Sequence, residues 1–467
     1  MVFSSLIFLF IFLPAVLLAY FAVPQRFRAA RNAVLLVFSL FFYLYGEPVG
    51  IFIMLGSILA NYLLAFGVAR AEGNSRRWIL IVSVILNVGL LGVYKYAGFA
   101  VENINRIFHT ALASPKIVMP IGISFFTFQG MSYVFDVFQR RCTPQKNILN
   151  VATYIALFPQ LVAGPIVRYE TIAAELSDRS ESMDAFAAGC RRMIVGLGKK
   201  MLIGNALGEA ASAVFSTSPA SLSAGSAWLG AIAYALHIYY DFSGYSDMAI
   251  GLGQIFGFHF PENFDHPYLS ASVTEFWRRW HISLSTWFRD YVYIPLGGNR
   301  KGPVRQTLNL LIVWLLTGLW HGAAWNFVLW GLYYAILLIA EKRFLGAFLQ
   351  KLWKPVRHLY ALLAVLFGWV IFNCSGVGQI GGYLGAMFGQ GTGIPGDASF
   401  LYLLTQYKAE LFLAVLFCLP LPKVLRRQYD SRPWMAIACD GLLLAVFGLS
   451  VVSITVSSFN PFIYFRF

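Results

Sequence analysis

The chain has 467 residues, of which 58% are hydrophobic and only 12% are charged. Soluble domains carry about 25% charged residues, so this composition excludes an ordinary water-soluble domain and indicates an integral membrane protein. The net charge is +14, but the Lys and Arg residues fall in short clusters between apolar runs. Such clusters are typical of cytoplasmic loops in membrane proteins. We therefore predict that the chain interacts with the lipid bilayer and that it binds no nucleic acid.

The first apolar run covers residues 3–23 without a charge. This is about the 20 residues needed to cross a hydrocarbon core, so we predict a membrane span. A cleavable signal peptide is disfavoured, because no basic segment precedes the run and no small-residue cleavage site follows it. The basic loops at 25–31 and 70–77 are predicted to be cytoplasmic, which places the N-terminus outside.

A turn at Gly46-Glu47-Pro48 divides the apolar run 32–66 into two spans. The segment 101–115 is predicted to be an exterior loop, and the polar stretch 165–200 an interfacial cytoplasmic or re-entrant segment. Three further apolar runs continue the alternation, at residues 78–91, 117–138 and 148–163.

The apolar run 228–258 carries His237, Asp241 and Asp247. Ionisable groups within a membrane face the interior of a helix bundle, because exposing a charge to lipid costs several kcal/mol. His237 and Asp241 are four residues apart and would share a helix face. A buried polar network is favoured over a catalytic relay here, since the segment lacks the nucleophile elbow that a reactive serine requires.

The stretch 275–305 is rich in aromatic and basic residues, which predicts amphipathic helices at the cytoplasmic interface. The uncharged run 308–340 follows it. As one helix this run would be about 50 Å long, against about 30 Å for the hydrocarbon core. Basic residues flank both of its ends, so both ends are predicted to be cytoplasmic. We therefore predict two short helices that meet near residues 318–322, around His321.

Three last spans are predicted at residues 359–372, 411–421 and 434–456. They enclose an exterior segment at 373–406 and a cytoplasmic loop at 423–432, and they leave the C-terminus outside. The prediction is an all-α polytopic protein with about eleven transmembrane or re-entrant helices. No repeat or linker interrupts it, so residues 1–467 are predicted to form a single membrane domain. The five cysteines and the other ligand types show no metal spacing, and we expect no metal.

His321 is the strongest candidate for chemistry because it lies in the predicted break, beside glycine and tryptophan. Acyl transfer to a hydroxyl needs a base that is neutral near pH 7, and burial keeps an imidazole neutral. A histidine that hydrogen-bonds between helices fits the pattern equally well. His281 could orient a substrate or His321, but its half-polar surroundings favour a surface position at the interface.

Several motifs resemble those of the membrane-bound O-acyltransferase family, and specifically its bacterial branch that O-acetylates alginate and similar exopolysaccharides. They are MPIGISFFTFQ at 119–129, FPQLVAGPI at 158–166, DFSGYSDMAIG at 241–251, the block 274–300, Trp320-His321-Gly322 and PFIYF at 461–465. The resemblance implies a ring of tilted helices around a central tunnel. It also implies that His321 is the essential catalytic histidine and that His281 is the second catalytic position.

The resemblance further implies transfer of an acetyl group from a cytoplasmic thioester, acetyl-CoA, across the bacterial inner membrane. The acceptor would be an exported polysaccharide such as alginate or cellulose. No permanently bound cofactor is expected. The predicted partners are a secreted or membrane-anchored acetyltransferase and the polysaccharide synthesis and secretion complex. The predicted donor-binding residues are Arg278, Arg279, Trp280, Arg289, Arg300 and Trp320.

Two alternatives remain at this point. One is D-alanyl transfer to teichoic acid from a carrier-protein thioester, which the same fold could perform. The other is an ion-coupled transporter that uses His321 and Asp247, since intramembrane ionisable residues also serve ion pathways. The sequence also leaves open whether His321 acts as a general base or is transiently acylated.

Overall fold

The computed structural model describes residues 1–391, 398–420 and 433–457. In these ranges the regular secondary structure is helical, which confirms the predicted all-α class. Helices suit this composition because they satisfy every backbone N–H and C=O group within one segment, as a lipid environment demands. The chain divides into two compact units, Met1–Met193 with Ser246–Pro261, and Ile194–Tyr245 with Glu262–Phe467. The single membrane domain stays a prediction.

The first unit contains a short π-helix at Phe8–Phe12 and a series of α-helices. These are α1 (Leu13–Ala22), α2 (Arg28–Gly46), α3 (Gly50–Arg70), α4 (Gly73–Leu91), α5 (Ala97–Phe108), α6 (Ile123–Phe138), α7 (Ile148–Ala156), α8 (Phe158–Leu161) and α9 (Tyr169–Ser177). The break between α2 and α3 confirms the turn predicted at Gly46-Glu47-Pro48.

Two helices contain residues of both units, α10 (Met183–Gly198) and α12 (Ala224–Ile255). The second unit also contains α11 (Asn205–Phe215), α13 (Val273–Arg279), α14 (Ile282–Phe288), α15 (Gly302–His321), α16 (Trp325–Ala340), α17 (Gly346–Lys351), α18 (Lys354–Asn373), α19 (Val377–Met387), α20 (Ala398–Gln406), α21 (Lys408–Phe417) and α22 (Pro433–Val456).

The exterior loop predicted at 101–115 is wrong in its first half. A π-helix at Gly92–Tyr96 joins α4 to α5, so helical structure extends over Gly73–Phe108. Ile104, Ile107 and Phe108 recur at helical spacing among polar residues, and this pattern supports a helix.

Five helices of the described residues are long and apolar enough to cross a membrane. They are Arg28–Gly46, Gly50–Arg70, Gly73–Phe108, Lys354–Asn373 and Trp434–Val456. The pair α20 and α21, bent by 59°, could together form a sixth. The other predicted membrane segments are shorter or more polar helices. The chain is therefore a multi-pass membrane protein, while its orientation stays a prediction.

Three sequence predictions fall on residues outside the described ranges: the cytoplasmic loop 423–432, the motif 461–465 and most of the exterior C-terminal segment. In the second unit, the core is a set of buried aromatic and aliphatic side chains contributed mainly by helices α11, α12, α13, α15, α16, α18 and α19. It includes Trp277, Trp280, Trp314, Trp330 and Trp369. Side chains of this size bury large apolar areas, and they surround the candidate site described next.

Candidate functional site

The break predicted around His321 is present. Helix α15 ends at His321, and α16 begins at Trp325. Gly322 takes an extended conformation, with φ −170° and ψ 157°, which stops the helix directly after the histidine. His321 thus lies at the tip of a helical hairpin.

Glycines allow the two helices of this hairpin to approach closely. A Cβ atom added at Gly318 would lie 2.3 Å from the carbonyl oxygen of Phe327, and one at Gly331 would lie 2.4 Å from that of Trp314. Real Cβ atoms do not tolerate such contacts, because protein interiors are close-packed. The glycines therefore fix the distance between α15 and α16, and with it the position of His321.

The imidazole of His321 is buried among aromatic rings, with 6% of the residue exposed. Its ring centroid lies 5.0 Å from those of Trp320 and Trp330 and 5.2 Å from that of Phe372, with the planes near perpendicular. Neutral imidazole is the form that can act as a base or a nucleophile.

His281 lies between helices α13 and α14 and adopts a left-handed conformation, with φ 45° and ψ 54°. Such a conformation is uncommon for a residue with a side chain and reverses the chain locally. Helix α13 is well defined at its start, because the Ser272 side chain accepts a hydrogen bond from Glu275 N at 3.0 Å. His281 is therefore placed by a short, capped helix.

Glu341 fixes the start of α13 from another part of the chain. Its carboxylate accepts hydrogen bonds from Val273 N at 2.7 Å and from Thr274 N at 2.8 Å. Tyr360 Oη also donates to it, at 3.1 Å. A carboxylate at a helix N-terminus is favoured by the unpaired N–H groups and the helix dipole. Because Glu341 follows α16, it ties the hairpin that carries His321 to the helix that leads to His281.

The chain around His281 is held by a short antiparallel contact. Phe264 and Trp280 form an isolated β-bridge, and Ile282 N donates to the carbonyl oxygen of Asn263 at 3.0 Å. The side chain of Asn263 reaches the imidazole, with 3.0 Å between Oδ1 and Nδ1 of His281. Asn263 is absent from the sequence-predicted site.

The structure brings the two predicted histidines to one tryptophan. The Trp320 ring centroid lies 5.0 Å from that of His321 and 5.9 Å from that of His281. His281 is 1% exposed and also meets Phe242 edge to face at 4.7 Å. It is therefore not the surface histidine that the local pattern favours. It lies outside the spanning helices, and burial lowers its pKa to about 3.

The predicted donor-binding residues separate into three kinds. Arg278 and Arg300 are exposed. Arg279 pairs with Glu275 at 2.7 Å, and Arg289, which is also exposed, pairs with Asp290 at 2.7 Å. The two predicted tryptophans are buried. Trp280 packs against Phe264 and Trp369, and Trp320 lies between the histidines.

Lys342, one of the basic residues that flank the run 308–340, lies close to Arg278 and to its neighbour Arg343. Lys342 and Arg343 are exposed at the end of the hairpin. Burial lowers the pKa of Lys342, and the nearby charges of Arg343 and Arg278 lower it further. The guanidinium of Arg343 also donates to Thr307 Oγ1 at 2.6 Å. We call Arg278, Lys342 and Arg343 the cationic patch.

His237 and Asp241, two of the three ionisable residues singled out in the 228–258 run, both contact one short segment of the chain. Lys200, in a π-helix at Lys199–Gly204, lies 2.5 Å from Asp241 Oδ1, and both side chains are buried. His237 Nδ1 lies 2.7 Å from the carbonyl oxygen of Gly204. This agrees with the predicted buried polar network. Asp247 instead pairs with Arg192 at 2.9 Å.

Comparisons with known proteins show to which family the chain belongs. The sequence profile of the MBOAT, membrane-bound O-acyltransferase family matches residues 101–378, which include both histidines. The chain is 38% identical to the probable alginate O-acetylase AlgI of Pseudomonas putida, over the full length of both proteins.

More distant relatives extend the comparison. The chain is 33% identical to the peptidoglycan O-acetyltransferase of Helicobacter pylori, over 80% of this chain and 77% of the relative. It is 27% identical to the teichoic acid D-alanyltransferase of Bacillus subtilis, over 55% of this chain and 69% of the relative. The first two matches and the profile favour an enzyme over the transporter alternative. The chain is an O-acyltransferase and belongs to the membrane-bound O-acyltransferase family.

Proposed function

We propose that this chain takes an acetyl group from a cytoplasmic thioester donor, acetyl-CoA, and passes it across the membrane for O-acetylation of an exported polysaccharide such as alginate or cellulose. The observation that carries the proposal is the position of Trp320 against two buried histidines, His281 and His321. The names of the alginate and peptidoglycan relatives support an acetyl group and a glycan.

His321 is the residue to which we assign the chemistry. A neutral imidazole can accept the proton of an attacking hydroxyl, or it can attack the thioester carbonyl and hold the acetyl group while the thiol leaves. Both routes require an uncharged ring shielded from water, and the aromatic walls formed by Trp320, Trp330 and Phe372 supply that environment. His281 is assigned as the second catalytic residue.

The donor is assigned to the exposed cations around the site. Arg278 and Arg300, predicted from the sequence, and the neighbouring Lys342 and Arg343 would bind the phosphates of coenzyme A through charge-assisted hydrogen bonds. Arg279 and Arg289 are already paired with carboxylates, so we assign them to orienting the segment 275–305 instead.

The location and partners follow from the same proposal. We place the protein in a bacterial inner membrane, with both termini outside the cytoplasm, as the distribution of Lys and Arg predicts. The acetyl group would then pass to a secreted or membrane-anchored acetyltransferase that works with the polysaccharide synthesis and secretion complex.

The cellular test uses a strain in which the gene is deleted and then restored as wild type, His321→Ala or His259→Ala. His259 is a matched control because its side chain is 81% exposed and its Nδ1 lies 2.7 Å from Glu175 Oε1, in a different compact unit from His321. Mass spectrometry of the exported polymer should show acetyl esters with the wild type and the control and none with His321→Ala. Acetylation that persists in the deletion strain, or with His321→Ala at normal protein levels, contradicts the proposal.

The donor is tested separately with the purified protein in proteoliposomes. Acetyl-CoA labelled in its acetyl group should lose the label to an acceptor hydroxyl or to the protein. A D-alanyl carrier-protein thioester supplied in its place should not react. Reaction with the carrier protein alone would favour the teichoic acid alternative, which the Bacillus subtilis relative represents.

A further inference from the structure

Asn263 organises the turn that holds His281. The asparagine is completely buried, and its Oδ1 atom lies 3.0 Å from His281 Nδ1. The same oxygen lies 2.8 Å from Ser283 Oγ and 3.3 Å from the backbone nitrogen of Ser283. Three polar groups of residues 281–283 thus lie within hydrogen-bonding distance of this one oxygen.

The backbone N–H of Ser283 decides which end of the Asn263 amide faces the histidine. An N–H group can only donate, so the atom it points to is the carbonyl oxygen and not the NH₂ group. A carbonyl oxygen can only accept, so His281 Nδ1 must carry the proton that joins them. In a neutral imidazole the lone pair then lies on Nε2.

The backbone of Asn263 holds the local antiparallel contact, whereas its side chain contacts His281 and Ser283. Its carbonyl oxygen accepts the hydrogen bond from Ile282 N, and the adjacent bridge pairs Phe264 with Trp280. These contacts involve no side-chain atom of residue 263, so they survive a substitution there. The side chain can therefore be changed to test its effect on the imidazole alone.

We propose that Asn263 is a positioning residue that holds His281 in the Nδ1–H tautomer and presents Nε2 as the acceptor atom toward the reacting groups. The proposal rests on the proposed function, in which His281 takes part in acetyl transfer. A histidine held in the wrong tautomer offers a donor where an acceptor is needed, which is why a fixed partner at the other nitrogen matters.

The tautomer can be measured without any acetyl transfer. Wild-type protein with ¹⁵N-labelled histidine is reconstituted in lipid nanodiscs, and the His281 signals are assigned by their loss in His281→Asn. We expect a protonated Nδ1 and an unprotonated Nε2 near neutral pH. A protonated Nε2 overturns the proposal, whether or not the protein transfers acetyl groups, so failure here is distinct from failure of the proposed function.

Two substitutions of Asn263 then separate a positioning role from a structural one. Asn263→Asp keeps the acceptor and adds a negative charge, which raises the pKa of the neighbouring imidazole. In a plot of kcat against pH, the fall in rate on the acidic side should therefore move to higher pH. The KM for the donor should stay near the wild-type value. Asn263→Leu removes the acceptor and should lower kcat by up to about 100-fold, the lower range of acid–base contributions.

Asn309 provides the matched control. It is equally buried, and its Nδ2 donates to the carbonyl oxygen of Gly298 at 3.0 Å, away from the histidines. Asn309→Asp and Asn309→Leu should change the yield of folded protein without moving the pH profile. An unshifted profile in Asn263→Asp, or a wild-type kcat in Asn263→Leu, overturns the proposal. If Asn263→Leu does not fold, the wild-type spectrum and the aspartate variant decide.

Discussion

Two buried regions of the second unit accommodate ionisable side chains away from water in different ways. In one, His281 and His321 are enclosed by aromatic rings beside Trp320. In the other, Lys200 and Asp241 face each other at 2.5 Å with both side chains almost completely buried. In the first region, burial lowers the pKa of His281 to about 3 and keeps this imidazole neutral, whereas the second region holds an ion pair of two opposite charges.

The difference has consequences for chemistry and for folding. A neutral imidazole in an apolar pocket can take up a proton or an acyl group and return to its starting state. A paired ammonium and carboxylate cannot change state without leaving a buried charge uncompensated. We therefore expect substitutions in the histidine pocket to affect catalysis first, and substitutions in the ion pair to affect stability first.

The largest expected effect is measured by substituting two buried histidines, His321 and His237, in separate variants. His321→Ala should lower the transfer rate by about 10²- to 10⁴-fold, the usual contribution of a positioned acid or base, with thermal unfolding near wild type. His237→Ala should instead lose about 1 kcal/mol of stability, because His237 hydrogen-bonds a backbone carbonyl, and should keep its rate per folded molecule. Steady-state kinetics and thermal unfolding of both variants check this, and a reversed outcome would break the comparison.

The ion pair provides the second prediction. Lys200→Met leaves the Asp241 carboxylate buried without its partner and should cost about 3–5 kcal/mol. The double variant Lys200→Met with Asp241→Leu removes both charges and should regain most of that loss. The measurement is the free energy of unfolding in mixed detergent micelles. Equal destabilisation by the single and double variants would show that the pair is not the source of the effect.

The third prediction concerns the hairpin that presents His321. Gly318→Ala forces a Cβ atom against the carbonyl of Phe327 and should cost about 1–3 kcal/mol, while displacing His321 and lowering the transfer rate. Gly89→Ala is the control, because nothing lies within 4 Å of its added Cβ and alanine favours the helix. A stable, fully active Gly318→Ala variant would contradict the proposed close packing.

The smallest expected effect lies on the cationic patch, outside both buried regions. Arg278→Ala or Lys342→Ala should raise the KM for acetyl-CoA about fivefold, which corresponds to about 1 kcal/mol for one exposed cation. The exposed Lys351→Ala is the control. The effect should shrink at high salt. Because the pKa of Lys342 is lowered, the KM should also begin to rise at a lower pH than with an ordinary lysine.

Hydrophobic patterning predicted much of the fold. The absence of charge over long runs predicted a polytopic helical protein, and the proline turn after α2 was predicted from local chemistry. The break at His321 was predicted because the run 308–340 is longer than the membrane is thick. The loop predicted at 101–115 is wrong over its first half, because the apolar residues there recur at helical spacing and form the end of the helix Ala97–Phe108.

The candidate site was predicted less completely, for a physical reason. His321 and His281 could be named from motifs, but their common contact with Trp320 depends on how α13, α15 and the turn at Gly322 pack together. Local pattern even favoured a surface position for His281, which is buried. No local rule predicts how far a side chain is shielded by residues distant in sequence.

Periodicity, charge clusters and run length are properties of the chain itself, so helices, breaks and the membrane class could be derived from it alone. The partners of each polar side chain belong to tertiary structure. Asn263 meets His281 because a short antiparallel contact places them side by side, and Glu341 reaches Val273 and Thr274 across many intervening residues. Hydrogen bonds of this kind form only where packing brings donor and acceptor together with correct geometry.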